Sequence, residues 1–214
     1  MSRTLAEHEA KQLLAGYGVV VAPERAVSTA REAARAADDL GYPVVVKLAG
    51  PGITHKTERG LVRLGVSGPG AVEAAASELL HAAQPEDGEV ALLVAPMLRG
   101  ARELIAGMHL DPQFGRCVMV GIGGVLTEAV ADVAFRLAPI DDTDAHEMLD
   151  DLRGQAFLGA WRGEPALDRA AAAQVLRALS RLVEDRPDIT SIDVNPLIVV
   201  GGAPVAVDAL VEIA

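Results

Sequence analysis

Residues 44–64 read VVVKLAGPGITHKTERGLVRL, and the reading of the chain turns on them. The run at 44–46 is short and β-branched and follows Gly41, Tyr42 and Pro43, so it reads as a buried strand. Lys47 stands at the far end of that strand. Residues 49–60 then form a loop with three glycines and a proline, whose backbone N–H groups are expected to approach a ligand closely. His55 lies in the loop with Lys56 beside it, and a second apolar run begins at Leu61. The chain has only three lysines, two of them here, while its other cations are arginines. A strand-end lysine or a loop histidine, taken alone, is also what a solvated surface carries. Together, a compact cation, a flexible backbone nest and a nucleophilic imidazole suit phosphate handling.

Outward from this stretch, 214 residues make one large domain or two small lobes. Half the residues are hydrophobic but only 3% aromatic, so the core must be built from Val, Leu, Ile and Ala. The net charge of −11 argues against nucleic acid or an anionic membrane surface as partner. The single cysteine, Cys117, excludes an internal disulfide framework and reads as a core residue in an apolar run. The chain has no 18-residue apolar run, and MSRTLAEHEA lacks a signal-peptide core, so the expected location is cytoplasmic.

Taken in order, Thr4 and Glu7 form a capping-box pattern opening a helix to about Leu14, with Gly16 and Gly18 as its stop. Residues 17–22 read as a short strand and 29–40 as a helix. After the strand at 61–66, Gly68 and Pro69 open a helix to about residue 83. Strands follow at 90–94, 102–110, 116–121 and 132–139, then helices at 141–152 and 166–184. Residues 189–200 and 205–211 close as a strand pair about Gly201 and Gly202. The alternation is α/β in content, without a regular βαβ rhythm.

KLAGPGITHKTERGLV resembles the signature of the ATP-grasp domain of NDP-forming acyl-CoA synthetases, the family of ADP-forming acetate–CoA ligase and succinyl-CoA synthetase. The resemblance runs from AEHEAKQLLAGYGV near the start to DVNPLIV and VAVDAL near the end. It implies an ATP-grasp fold of two α+β lobes gripping ATP. One lobe spans about 22–97; the other combines 98–214 with the N-terminal helix within 1–21. It also implies a ligase coupling acyl-CoA formation and cleavage to ATP and ADP through phosphohistidine, with His55 as nucleophile and Lys47 on the phosphates. The implied partner is a CoA-binding α subunit or domain, in a hetero-oligomer, because nothing in this chain resembles a CoA-binding unit. The alternative is a nucleotide-binding regulatory module whose catalysis has lapsed.

Further positions follow from residues and resemblance together. Along a strand Asp193 and Asn195 point to one face, and Asp208 lies across the glycine hairpin in apolar surroundings. Three hard oxygen donors suit Mg²⁺ shared with phosphates, although a salt-bridged hairpin has the same composition. Asn195 and Asp208 match the family's metal ligands, and Asp193 matches an acidic position beside them. LLVAPML at 92–98 matches the hinge whose backbone reads adenine, through Val94, Pro96, Met97 and Leu98. Pro96 cannot donate, which leaves Met97 or Leu98 as the N–H donor. Ala95 replaces the usual polar residue there, so ATP and GTP both remain open, and Leu61 replaces a second glycine after the histidine segment. Glu103 matches an acid facing the nucleotide. Arg136, in a GlyGly…PheArg segment, matches a residue that would hold a phosphoryl oxygen by two hydrogen bonds. His8, His81, His109 and His146 show no metal-ligand spacing.

Overall fold

A computed structural model describes residues 3–53, 56–124, 131–161 and 163–214. The chain folds as two compact units. One holds the N-terminal residues through Leu5, with Glu9–Val21 and Arg99–Ala214; the other holds Ala6–His8 and Ala22–Leu98.

The smaller unit is a four-stranded antiparallel sheet in the order β2 (Arg25–Val27), β5 (Ala91–Pro96), β3 (Val44–Ala49), β4 (Val62–Val66). Helices α2 (Ala30–Leu40) and α3 (Pro69–His81) cover one face. Thr29 caps α2 by accepting from the Glu32 N–H, while the Glu32 carboxylate accepts from Ser28 and Thr29. Those backbone bonds hold the Glu32 carboxyl below its usual range. Alternation along β3 sends Val44, Val46 and Leu48 into an Ala-, Val- and Leu-rich core with Val72, Leu79, Leu92 and Val94.

The larger unit is a sheet of seven described strands. Its main order is β1 (Arg3–Thr4), β11 (Leu210–Ile213), β9 (Ile189–Val200), β6 (Glu103–Asp111), β7 (Gly115–Ile122), β8 (Val133–Leu137), with β10 (Ala203–Ala206) pairing β9. Helices α4 (Asp142–Asp150) and α6 (Arg169–Asp185) bury Met148, Leu149, Leu176, Leu179 and Leu182 against Met108, Val118, Ile192 and Val194. A single turn, α5 (Gln155–Leu158), lies between them in sequence. Arg102, 1% exposed, donates to the carbonyls of Phe157, Gly159 and Pro165 and so fixes the chain where it enters β6. Every ladder between described strands is antiparallel, so the α+β side of the sequence reading holds.

Three local readings change. Helix α1 (Glu7–Gly16) starts at Glu7, because Thr4 is held in β1 opposite Glu212 and does not cap it. The strand expected at 17–22 is one parallel bridge between Val21 and Ala206. The strand expected at 205–211 breaks after Ala206 and resumes at Leu210, leaving Val207, Asp208 and Ala209 in the gap.

Candidate functional site

In β3 the buried valines put Lys47 on the opposite face, between Val62 of β4 and Leu93 of β5. Its ammonium lies 2.7 Å from Oε1 of Glu7, and the ammonium of Lys56 lies 2.9 Å from Oε2 of the same carboxylate. The Glu7 side chain is 1% exposed and each lysine 11%. Sequence reasoning misses Glu7, since nothing in the spacing AEHEAK marks it as a partner of residues 40 or more positions away. His55 lies outside the described residues.

Two of the three loop glycines, Gly50 and Gly52, serve packing. A methyl group at Gly52 would stand 2.1 Å from the Glu86 carbonyl oxygen, and one at Gly50 would stand 2.7 Å from that of Asp87. The Gly52 N–H donates to the Asp87 carbonyl at 3.1 Å. These positions therefore seat the loop on the turn at Pro85–Asp87. At the other end of the loop, Arg59 grips the Asp87 carboxylate with two bonds, at 2.7 and 3.0 Å, where Asp87 is fully buried. This pairing holds the Asp87 carboxyl below its usual range and raises Arg59. Ile53 and Leu61 are buried on either side of the histidine segment, and the Leu61 N–H returns to the Lys56 carbonyl at 2.8 Å.

The residues that match a hinge in sequence lie at the end of β5 and just after it. Val94 is buried mid-ladder between Arg25 and Val46, and Pro96 pairs with Val44. The Met97 N–H is committed to the Pro43 carbonyl at 2.9 Å. Of the two donors the sequence offered, the geometry therefore favours Leu98.

The acidic group belongs to the larger unit. On β9, Val194 points into the core, and Asp193 and Asn195 lie exposed on the other face. The Val207 N–H bonds to the Pro196 carbonyl at 3.2 Å, and Leu210 pairs with Asp193. Asp208 is thereby brought opposite the Asp193–Asn195 stretch from the gap between strands. Asp193 presents surface on the open face, yet its carboxyl is crowded. That burial, followed by the Asp208 charge, pushes it above the usual carboxylate range. Asp208 acts on Asp193, and Asn195 shares the exposed face of β9 with Asp193; these oxygen donors are of the hard type that suits Mg²⁺. From Asp193 a cavity of about 480 Å³ runs along the same face past Gly107, Met119 and Phe135 to Cys117. Cys117 is half-buried on this face, not in the core as its apolar run implied.

Glu103, half-buried at the start of β6, pairs with Ile198. Its carbonyl accepts the Gly123 N–H at 2.7 Å. Arg136 of β8 donates to Asp151 at 2.8 Å and lies 3.6 Å from Glu147. These acids raise its pKa further, the Asp151 bond most. Its guanidinium is thus engaged at the end of α4.

Against known proteins, residues 1–213 match the family described as ATP-grasp domain. The chain is 38% identical to the β subunit of acetate–CoA ligase [ADP-forming] II of Pyrococcus furiosus, over 96% of this chain and 89% of that one. It superposes with a TM-score of 0.90 on acetyl-coenzyme A synthetase 1 of Ca. Korarchaeum cryptofilum bound to coenzyme A and Ca-AMPCP, at 31% identity, covering 99% of this chain and 94% of that one. A second structure of that synthetase holds coenzyme A and Mg-AMPPCP, with its phosphohistidine segment pointing towards the nucleotide site. It matches at TM-score 0.84 and 32% identity, over 99% and 93% of the two chains.

Proposed function

Because the chain belongs to the ATP-grasp family along residues 1–213, we propose that it is the nucleotide-binding subunit or domain of an ADP-forming acid–CoA ligase. In this reading it passes a phosphoryl group between ATP and His55. The observation that carries the reading is the pair of lysines gathered on one buried carboxylate, one within β3 and the other following His55 in sequence.

The neutral imidazole of His55 supplies a lone pair to the γ-phosphorus. The bond from that phosphorus to the β,γ-bridging oxygen breaks, its electron pair leaves on ADP, and a P–N bond forms. The ring sheds its other proton to water as it becomes the neutral phosphohistidine. Lys47 binds the phosphates as a point charge, and the chain works by positioning and charge compensation. Asp193, Asn195 and Asp208 are the residues that would hold Mg²⁺, whose chemistry is to screen the β- and γ-phosphates. The Pro96 carbonyl and the Leu98 N–H read the base, and Glu103 faces the nucleotide. Arg136, paired with Asp151 and Glu147, would hold a phosphoryl oxygen through a guanidinium that offers five donors.

The recipient is a CoA-binding subunit or domain in the same cytoplasmic assembly. There a carboxylate oxygen takes the phosphoryl group from histidine to give an acyl phosphate. The CoA thiol then attacks its carbonyl and releases inorganic phosphate. Incubation with Mg²⁺ and ATP labelled in the γ-phosphate tests the reading. The protein should take up acid-labile, alkali-stable label, His55→Ala should take up none, and the nucleotide product should be ADP. Equal labelling of His55→Ala, or AMP as product, overturns it.

A further inference from the structure

A phosphohistidine site gathers cations, and in this chain one acid meets two of them. Glu7 opens α1, where the helix dipole favours a negative charge. Its two oxygens bind different lysines, Lys47 at 2.7 Å and Lys56 at 2.9 Å, with all three side chains nearly out of water. Two ammonium groups at such burial repel, and an anion between them offsets that repulsion. The shared carboxylate ties both ammonium groups to one point of the fold. A carboxylate oxygen occupies one of an ammonium's three donors, so binding Glu7 is compatible with binding phosphate as well.

The backbone holds each lysine independently of that carboxylate. Lys47 is fixed by ladders on both sides, to Val62 and Leu93. Lys56 lies between the buried anchors Ile53 and Leu61 and receives the Leu61 N–H at its carbonyl. What Glu7 adds is the direction of the two side chains. We propose that Glu7 is a positioning residue which holds Lys47 and Lys56 as a two-cation clamp, and that Lys56 is a second phosphate-binding residue in transfer between ATP and His55. This rests on the phosphohistidine reading given above.

The experiment compares the parent with Glu7→Gln, Glu7→Asp, Lys56→Met and His55→Ala. It measures the first-turnover rate of γ-phosphate labelling, equilibrium ATP affinity and thermal midpoint. Glu7→Gln and Lys56→Met should each slow labelling at least ~10-fold, the scale of one lost charge-assisted contact. Glu7→Asp, which keeps the charge on a shorter stem, should recover part of the rate. A role in folding alone would move the thermal midpoint and leave the labelling rate of folded protein unchanged, and that outcome overturns the proposal. Parental labelling by Lys56→Met overturns it too, and this variant leaves the buried acid in place should Glu7→Gln fail to fold. If His55→Ala labels like the parent, the phosphohistidine reading itself fails. Loss of label in His55→Ala with parental rates in Glu7→Gln and Lys56→Met sinks the clamp alone.

Discussion

Replacing Lys47 by methionine should separate what the lysine does for the fold from what it does for nucleotide. The change keeps an unbranched side chain of similar length on β3 and removes the ammonium 2.7 Å from Glu7. Breaking a buried ion pair from one side typically costs about 3–5 kcal/mol, because the remaining charge stays buried. Here Lys56 still holds the other oxygen at 2.9 Å, so a smaller loss of about 1–3 kcal/mol is expected. In a domain of this size that is a fall in thermal midpoint of roughly 2–12 °C. ATP affinity should drop at least ~10-fold, about 1.4 kcal/mol, through loss of the phosphate contact. Calorimetric titration with Mg²⁺ and ATP reads the second effect, and thermal unfolding of the free protein reads the first. Adding Glu7→Gln tests the ion-pair account, since it leaves the Lys56 ammonium buried without its acid and should lower stability further. Parental ATP affinity in Lys47→Met refutes the phosphate role. A double variant as stable as Lys47→Met refutes the account of the ion pair.

Gly52→Ala should destabilise by more than ~2 kcal/mol, since its methyl would meet the Glu86 carbonyl oxygen at 2.1 Å and break the bond to Asp87; an unchanged denaturation midpoint would show that the loop is not seated on that turn. For Asp193 the folded carboxyl is raised above its unfolded value. The stability it contributes is therefore complete below the unfolded pKa, near 3.9, and is lost as pH rises through the higher folded value. Asp193→Asn should accordingly be more stable than the parent at neutral pH and lose that advantage near pH 4, as followed by denaturant titration across pH; a constant difference would contradict the assignment. At neutral pH, Mg²⁺ with nucleotide should raise the parent's midpoint more than that of Asp193→Asn with Asp208→Asn.

Local chemistry was legible where the residues near in sequence decide the outcome. Pro69 sits in the first turn of α3 as its position after Gly68 implied. The β-branched run at 44–46 became the buried half of β3, with Lys47 facing away from the core. The alternation of Asp193, Val194 and Asn195 on β9 put both polar side chains on one face. Where the reading failed, a distant segment had taken over a local signal. Thr4 has the right spacing to cap a helix, but pairing with Glu212 fixes it as a strand and frees the helix to start three residues later. VAVDALV alternates like one strand, yet Val207 bonds to Pro196 and the ladder restarts only at Leu210. Gly50 and Gly52 read as part of a ligand nest, but the turn at residues 84–88 fills the space beside these two.

The same contrast explains the part of the candidate site that was missed. Lysine, histidine and oxygen donors stand out in a sequence because each type suggests its own chemistry. A glutamate in an amphipathic helix does not, since most such residues are solvated. Glu7 acquires meaning only because β3 carries a lysine 40 residues later and the next segment returns with another. The sequence did carry a trace of this in its scarcity of lysine: a chain with three lysines and many arginines places two of them nine residues apart. Arginine would be the wrong cation for that place. Its wide planar fork favours two parallel bonds to a single carboxylate, as Arg59 makes to Asp87. Two compact ammonium groups can instead share one carboxylate, an oxygen each, and still meet a phosphate. The choice of lysine at positions 47 and 56, and of arginine at 59, follows from that difference in shape.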